Sequence, residues 1–450
     1  METKLERIAE VAKTKSKEKF ISLAHLINEE TIKECHKRME KGKAAGIDDI
    51  TKEAYEEKLD SNVKDLISRM KRQSYKPQPV RRVYIPKAGS DKLRPLGIPA
   101  YEDKLVQATV AKILNAIFEQ DFLECSFGFR PQRSCHDAIK VVNAIVNKKE
   151  IKYIVDADIK AFFDNVDHVW LMKFVEYRIA DPNILRLIVR FLKSGMMEAG
   201  IIYDTPEGTP QGGCISPILA NLYLHFVVEL WFEKVIRKNI KGQAYMIRYA
   251  DDAVFCFEKE EDAKEFYQQL VMRLKKFNLE VSEEKTKIIS LGKDEVKDDD
   301  DDDDSGTGKS ESSFDFLGFT HYVSTNKYGG KTVRRKTSKK KFRASLMRFK
   351  EWIRMNRTMP IKILMKKLIT KIRGHCNYYG VTGNRNSVND FIDEIKRLLF
   401  KWLNRRSQRK SFNWDKFNMF LKKYPLPKAK ASVNIFAINK GKSYVMPMMK

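Results

Sequence analysis

Apolar and polar positions are most sharply patterned in Ile247-Arg248-Tyr249-Ala250-Asp251-Asp252-Ala253-Val254-Phe255-Cys256-Phe257, two apolar arms about a short polar tip. The arms predict half-buried strands and the tip a tight hairpin turn. A turn also tolerates solvated Asp, so this stretch alone leaves the two adjacent carboxylates an ordinary reading. Upstream, residues 1–75 read as helical, with Leu23, Leu26 and Ile27 at i, i+3, i+4 spacing. A polar break around Gly42 and Gly46 follows, then a helix from Thr51, a suitable N-cap, to about Met70. Val80 to Lys87 and Leu93 to Pro99 predict a hairpin about the turn 88–92. Residues 101–124 predict an amphipathic helix with Leu105, Val106, Val110, Ile113, Leu114, Ile117 and Phe118 on one stripe. A loop, Ser126-Phe127-Gly128-Phe129-Arg130-Pro131, leads to a helix from about Ser134 to Val146.

Residues 153–164 predict a second strand of chemical interest, apolar but interrupted by acids. Asp156 and Asp158, two positions apart, share one strand face. An acid in an apolar strand is costly unless a cation or hydrogen bonds satisfy it, which favours a metal role. Pro210-Gln211-Gly212-Gly213 is a turn running into a helix, where a ligand can approach the backbone closely. A helix from about Glu261 to Phe277 follows the Asp251-Asp252 hairpin. Phe314 to Tyr322 resumes strand character, and residues 338–356, 360–378 and 387–404 read as basic helices.

Composition adds partners to this outline. The 450 residues exceed the usual single domain, so two or three domains are expected. The formal charge is +26, and residues 331–450 alone hold 33 Lys and Arg against 5 Asp and Glu. Clustered positive charge interleaved with aromatics predicts a polyanion-binding surface. No apolar run of about 18 residues predicts a membrane span, and the charged N-terminus resembles no signal peptide. Six scattered cysteines without a C-x-x-C pair argue against zinc and fit a reducing interior. The run Asp298 to Asp304 predicts a self-repelling disordered loop at about 293–313.

Asp158 on one strand and Asp251 and Asp252 on a hairpin tip together suit a site for two divalent cations, as in nucleotidyl transfer. Lys87 and Arg94 on the basic hairpin suit a triphosphate. Charge and chemistry agree on a template-directed polymerase.

The residues also resemble a known family. Ile85-Pro86-Lys87 with Arg94-Pro95-Leu96-Gly97-Ile98-Pro99, Phe127 to Pro131, Asp158 to Asp164, Gly208 to Gly213, Tyr249-Ala250-Asp251-Asp252 and Phe316-Leu317-Gly318-Phe319 occur in the order of the group II intron-encoded reverse transcriptases, or maturases. The resemblance implies an α+β right-hand polymerase, with fingers and palm over 1–334, an α-helical thumb or maturase domain over 335–404 and a basic DNA-binding tail over 405–450. It implies Asp158, Asp251 and Asp252 as catalytic metal ligands, helped by the Ile159 carbonyl, for two Mg²⁺ ions with Mn²⁺ as a substitute. It implies Lys87, Arg94, Phe163 and Gln211 around the dNTP, Phe163 excluding a 2′-hydroxyl. Lys285 matches a general acid for pyrophosphate, although a plain surface lysine fits equally well. Phe316, Leu317 and Gly318 would form a primer grip. RNA contacts would come from Arg334, Arg335, Lys339, Lys340, Arg373 and Tyr378.

The implied partners are group II intron RNA, an RNA template with DNA primer, target DNA and dNTPs, in a bacterial cytoplasm and without a membrane. A monomer and a dimer both remain open. No H-N-H nuclease pattern is expected. An intron-independent reverse transcriptase of a defence or diversity-generating system, an RNA-binding splicing maturase without polymerase activity, and an RNA-dependent RNA polymerase are the alternatives.

Overall fold

A computed structural model describes residues 2–86, 93–148, 150–198, 200–204, 207–208, 212–291, 312–325, 328, 330–406 and 412–437. The acidic run Asp298–Asp304, Lys87 and Gln211 lie outside these residues.

The chain opens with helices α1 (Glu2–Thr14), α2 (Glu29–Arg38), α3 (Lys52–Glu56) and α4 (Leu59–Lys71). Asn28 and Thr31 cap α2 reciprocally, and Thr51 accepts the Ala54 amide at the start of α3. The single helix expected over 51–70 is therefore two. Lys58 leaves the helical backbone, and Asn62 Nδ2 donates to the freed Tyr55 carbonyl. Strands β1 (Val80–Pro86) and β2 (Leu93–Ile98) pair antiparallel, Arg81 opposite Ile98 and Ile85 opposite Arg94. Helix α5 (Tyr101–Phe118) buries the whole expected stripe from Leu105 to Phe118. It stops short of 124, where a turn begins at Glu119.

Helix α6 (Cys135–Lys148) precedes β3 (Tyr153–Asp158). The expected strand over 153–164 ends at Asp158, because Ala161 adopts a left-handed backbone (φ 45°) and Phe162–Asp164 form a 3₁₀ turn. Helices α7 (His168–Val175) and α8 (Pro182–Leu192) follow, N-capped by Asp167 and Asp181. The short strands β4 (Met196–Glu198) and β5 (Ile201–Tyr203) extend the first hairpin into a sheet of order β2-β1-β4-β5. Helix α9 (Ser216–Leu224) continues through two π-helical turns, His225–Glu229 and Phe232–Ile236, to a last turn, α10 (Arg237–Asn239). Strands β6 (Ala244–Tyr249) and β7 (Asp252–Phe257) form the central hairpin, with β3 beside β7. Both arms are buried on both faces, not half-buried as the alternation suggested; on the face that carries Phe255 and Phe257, Phe232 and Phe266 from the helices cover the sheet.

Helix α11 (Glu260–Lys276) and strands β8 (Lys287–Ser290), β9 (Ser313–Phe316), β10 (Phe319–Thr325) and β11 (Lys331–Thr337) come next. The basic helices α12 (Lys339–Asn356), α13 (Ile361–Tyr379) and α14 (Arg385–Leu403) lie close to their expected bounds, and α15 (Trp414–Lys423) follows.

Two compact units result. One holds residues 2–86, 93–134 and Val155–Lys287. The other holds Cys135–Ile154 and the residues from Ile288 on. The expected boundary at 334 does not coincide with either. In the second unit, α13 and α14 share one apolar core with Phe417, Ala429 and Ile435. The described part of the expected tail is thus built into that unit. No described helix is long and apolar enough to cross a membrane.

Candidate polymerase site and nucleic-acid surface

The hairpin tip is held from beneath. Tyr249 faces Asp252 across the turn, Ala250 takes a left-handed backbone (φ 59°), and Asp251 and Asp252 are half-buried. Arg248, one position before the tip, is 1% exposed. Its Nη1 donates to the Ala250 carbonyl (2.7 Å) and Asn221 Oδ1 (3.1 Å), its Nη2 to Ser126 Oγ (2.6 Å) and Glu229 Oε1, and its Nε to Glu229 Oε1 (2.8 Å). Glu229, fully buried, also meets His225 Nδ1 (2.8 Å). Burial pushes the Glu229 carboxyl up, but the charges and hydrogen bonds of Arg248 and His225 outweigh it and hold it at about 2.

The loop Phe127-Gly128-Phe129-Arg130-Pro131 touches this tip directly. A Cβ on Gly128 would lie 2.2 Å from the Ala250 nitrogen, so only glycine fits. The Phe127 amide donates to the Arg248 carbonyl (2.9 Å), and Asn221 Nδ2 to the Gly128 carbonyl (2.8 Å).

Asp158 ends β3, the neighbour of β7. The Ser282 amide donates to its carbonyl (2.8 Å), and Ile159 bridges to Val281. Lys285 Nζ pairs with Asp158 Oδ2, both side chains being about half exposed. Asp158, Ile159, Asp251, Arg248 and Ala253 line one cavity together with Leu224, Val228, Phe255, Leu270, Leu274 and Val281, and its wall is almost wholly apolar. Among the described residues, Asp158, Asp251 and Asp252 included, no group of three or more His, Cys, Asp or Glu is drawn together closely enough to hold a metal ion by itself. Asp158 at the end of β3 and Asp251 and Asp252 on the adjoining hairpin are half-buried carboxylates, of the kind a cation takes when water and substrate oxygens complete its ligands.

Phe163 is half-buried against Phe162, ring centroids 5.2 Å apart. Gly208 and Gly212 each lie close against backbone: a Cβ at Gly208 would strike the Asp164 carbonyl (2.8 Å), and one at Gly212 the Gly97 carbonyl on β2 (2.5 Å). Arg94 is exposed on the same strand.

In the second unit, the turn between β9 and β10 carries Phe316-Leu317-Gly318. Phe316 is buried, and Tyr378 Oη donates to the Leu317 carbonyl (2.8 Å), fastening the turn to the end of α13. Arg334, Lys339, Lys340 and Arg373 are exposed. Arg335 is not. At 3% exposure its guanidinium donates to Asn143 Oδ1 (2.5 Å) and the Val333 carbonyl (3.3 Å), so it braces the unit and offers RNA nothing.

The residues that the sequence reading passed over are Ser126, Asn221, His225, Glu229 and Arg248. A signal existed for Arg248, a charge inside an apolar strand, which is the same anomaly that marked Asp158.

Comparison with known proteins bears on both units. Residues 85–321 match the family described as reverse transcriptase (RNA-dependent DNA polymerase). Residues 332–420 match the group II intron, maturase-specific domain. The chain is 31% identical to the group II intron-encoded protein LtrA of Lactococcus lactis, over 86% of this chain and 75% of that one. It is 38% identical to protein YkfC of Escherichia coli, over 40% of this chain and 48% of that one. Among solved structures, the telomerase of Candida albicans is similar at a TM-score of 0.43 and 14% identity, covering 83% of this chain and 65% of that one.

Proposed function

This chain belongs to the group II intron-encoded reverse transcriptases, RNA-directed DNA polymerases that carry a maturase domain, and from that premise we propose how its own residues do the work. Enzymes of this family use divalent metal ions. Here Asp158, Asp251 and Asp252 would hold two Mg²⁺ ions, with the Ile159 carbonyl assisting, and the ions would supply activation of the primer 3′-hydroxyl and stabilisation of the leaving pyrophosphate. The observation that carries this reading is the position of Asp158 at the end of β3, the strand beside β7, whose hairpin tip bears Asp251 and Asp252.

The remaining roles rest on the family's motifs, with Lys87 and Gln211 outside the described residues. Lys285, already on Asp158 Oδ2, stands where it can release a proton to pyrophosphate and balance the carboxylate between turnovers. Arg94 and Lys87 bind the triphosphate, and Gln211 lines the nucleotide pocket. Phe163 lies under the sugar and excludes the 2′-hydroxyl. Phe316, Leu317 and Gly318 support the primer end. Arg334, Lys339, Lys340 and Arg373 grip intron RNA through phosphates, which supplies affinity without reading sequence. Tyr378 acts on the RNA side through the turn it fastens. Residues 1–334, 335–404 and 405–450 then divide the work as fingers and palm, thumb, and a tail for target DNA, within a bacterial cytoplasm.

Asp158→Asn separates the two activities. The variant is expected to lose cDNA synthesis from a primed intron RNA in Mg²⁺ while still binding that RNA and aiding its splicing, since the RNA performs its own splicing chemistry. Retained cDNA synthesis would refute the metal assignment.

A further inference from the structure

Two features meet at the hairpin tip. The turn bearing Asp251 and Asp252 depends on a left-handed alanine, Ala250, a conformation that non-glycine residues rarely hold unaided. The carbonyl of that same alanine is taken by Arg248 Nη1 at 2.7 Å. The guanidinium behind this contact is completely engaged, with Glu229 on one edge, Ser126 and Asn221 on the others, and almost no exposure. Asn221 in turn holds the Gly128 carbonyl, and Gly128 lies against the Ala250 backbone. Arg248 and Gly128 thus close on Ala250 from two sides, one by a charge-assisted bond and one by contact.

We propose that Arg248 is a positioning residue: its planar fork, anchored by Glu229, sets the Ala250–Asp252 turn and thereby the affinity of the polymerase site for its metal ions. This rests on the metal assignment proposed above. Only a guanidinium can do it. Lysine keeps the charge but offers a point donor that cannot span Glu229, Ser126, Asn221 and Ala250 together.

A matched comparison exists in the same unit. Arg178 is also fully buried and paired, with Asp121 (2.6 Å) and the Ser16 and Ala12 carbonyls, but it makes no bond to the tip. Its replacement reports the generic cost of losing a buried guanidinium.

The test measures Mn²⁺ binding to the full chain by electron paramagnetic resonance, counting as site ions those lost in Asp251→Asn/Asp252→Asn. Mg²⁺ dependence of primer extension and thermal melting are recorded in parallel. Arg248→Lys is expected to weaken site Mn²⁺ binding at least tenfold and to raise the half-maximal Mg²⁺ concentration by a similar factor, with extension recovering at high Mg²⁺. Arg248→Met/Glu229→Gln, which leaves no lone buried charge, is expected to melt closer to the wild type than Arg248→Lys and still bind Mn²⁺ weakly. Arg178→Lys is expected to lower the melting temperature and leave Mn²⁺ affinity unchanged.

Mn²⁺ affinity within twofold of wild type in both Arg248 variants would overturn the proposal, whatever their melting temperatures. So would an equal loss of affinity in Arg178→Lys. A wild-type chain that shows no Mn²⁺ dependent on Asp251 and Asp252 would overturn the metal assignment itself, a result distinct from either.

Discussion

Gly128→Ala is the smallest change that reaches the candidate polymerase site. The added methyl would lie 2.2 Å from the Ala250 nitrogen, 2.9 Å from the Tyr249 carbonyl carbon and 3.0 Å from the Ala250 Cα. All three are backbone atoms, so no side chain can swing away. Relief to an ordinary contact of about 3.5 Å requires the loop or the tip to move by about 1 Å. Gly128 does not use a left-handed backbone, so alanine adds no strain of its own. The stability cost is that of overpacking, about 1–3 kcal/mol. The catalytic cost is larger, because a shift of about 1 Å in a reacting geometry is worth roughly 10²-fold in rate. Steady-state primer extension on an RNA template, with melting as a control, is expected to show kcat reduced about 10²-fold in a chain that remains folded. Wild-type kcat in the folded variant would refute the claim that this loop sets the tip.

Gly374→Ala is the converse case: the site is exposed within α13 with nothing within 4 Å, so it should stabilise by about 1 kcal/mol, read by chemical denaturation. His321 and His375 should make the chain acid-labile. Burial lowers His321 to about 3 and His375 to about 4, below the ordinary 6.5. The unfolded chain therefore binds more protons below about pH 6.5, and stability is lost as pH falls from there toward 4 and 3. His375→Gln should flatten part of that slope in pH-dependent denaturation, and an unchanged slope would contradict the burial. Arg373→Ala should weaken RNA binding and reduce its salt slope by about 1. Arg335→Ala should instead lower the melting temperature and leave that slope alone; filter binding over a salt series distinguishes them.

What could be read in advance followed from periodicity and from charge in the wrong place. The α5 stripe, the three basic helices and the central hairpin announce themselves because their apolar spacing matches the element they form. Asp158 was legible as a cost that an apolar strand would not bear without a purpose, whereas Asp251 and Asp252, on a turn that tolerates acids, stood out only beside Asp158 and the ordered motifs. Arg335 was misread for a related reason: a basic residue in a basic segment looks like surface, and only the tertiary packing of Asn143 and Val333 around it shows otherwise. The Arg248 cluster joins Ser126, Asn221, Glu229 and the tip across 122 positions of sequence, and no local pattern encodes such a meeting. The π-helical turns that bring His225 and Glu229 inward are equally silent in spacing, since an i+5 turn breaks the helical period.

The most direct measurement is primer extension on an RNA template in Mg²⁺ with dNTPs or rNTPs, comparing the wild type with Asp251→Asn/Asp252→Asn. The account predicts extension with dNTPs, little with rNTPs, and none by the variant while RNA binding persists. Undiminished extension by the variant, or no extension by a wild type that binds RNA tightly, would contradict it.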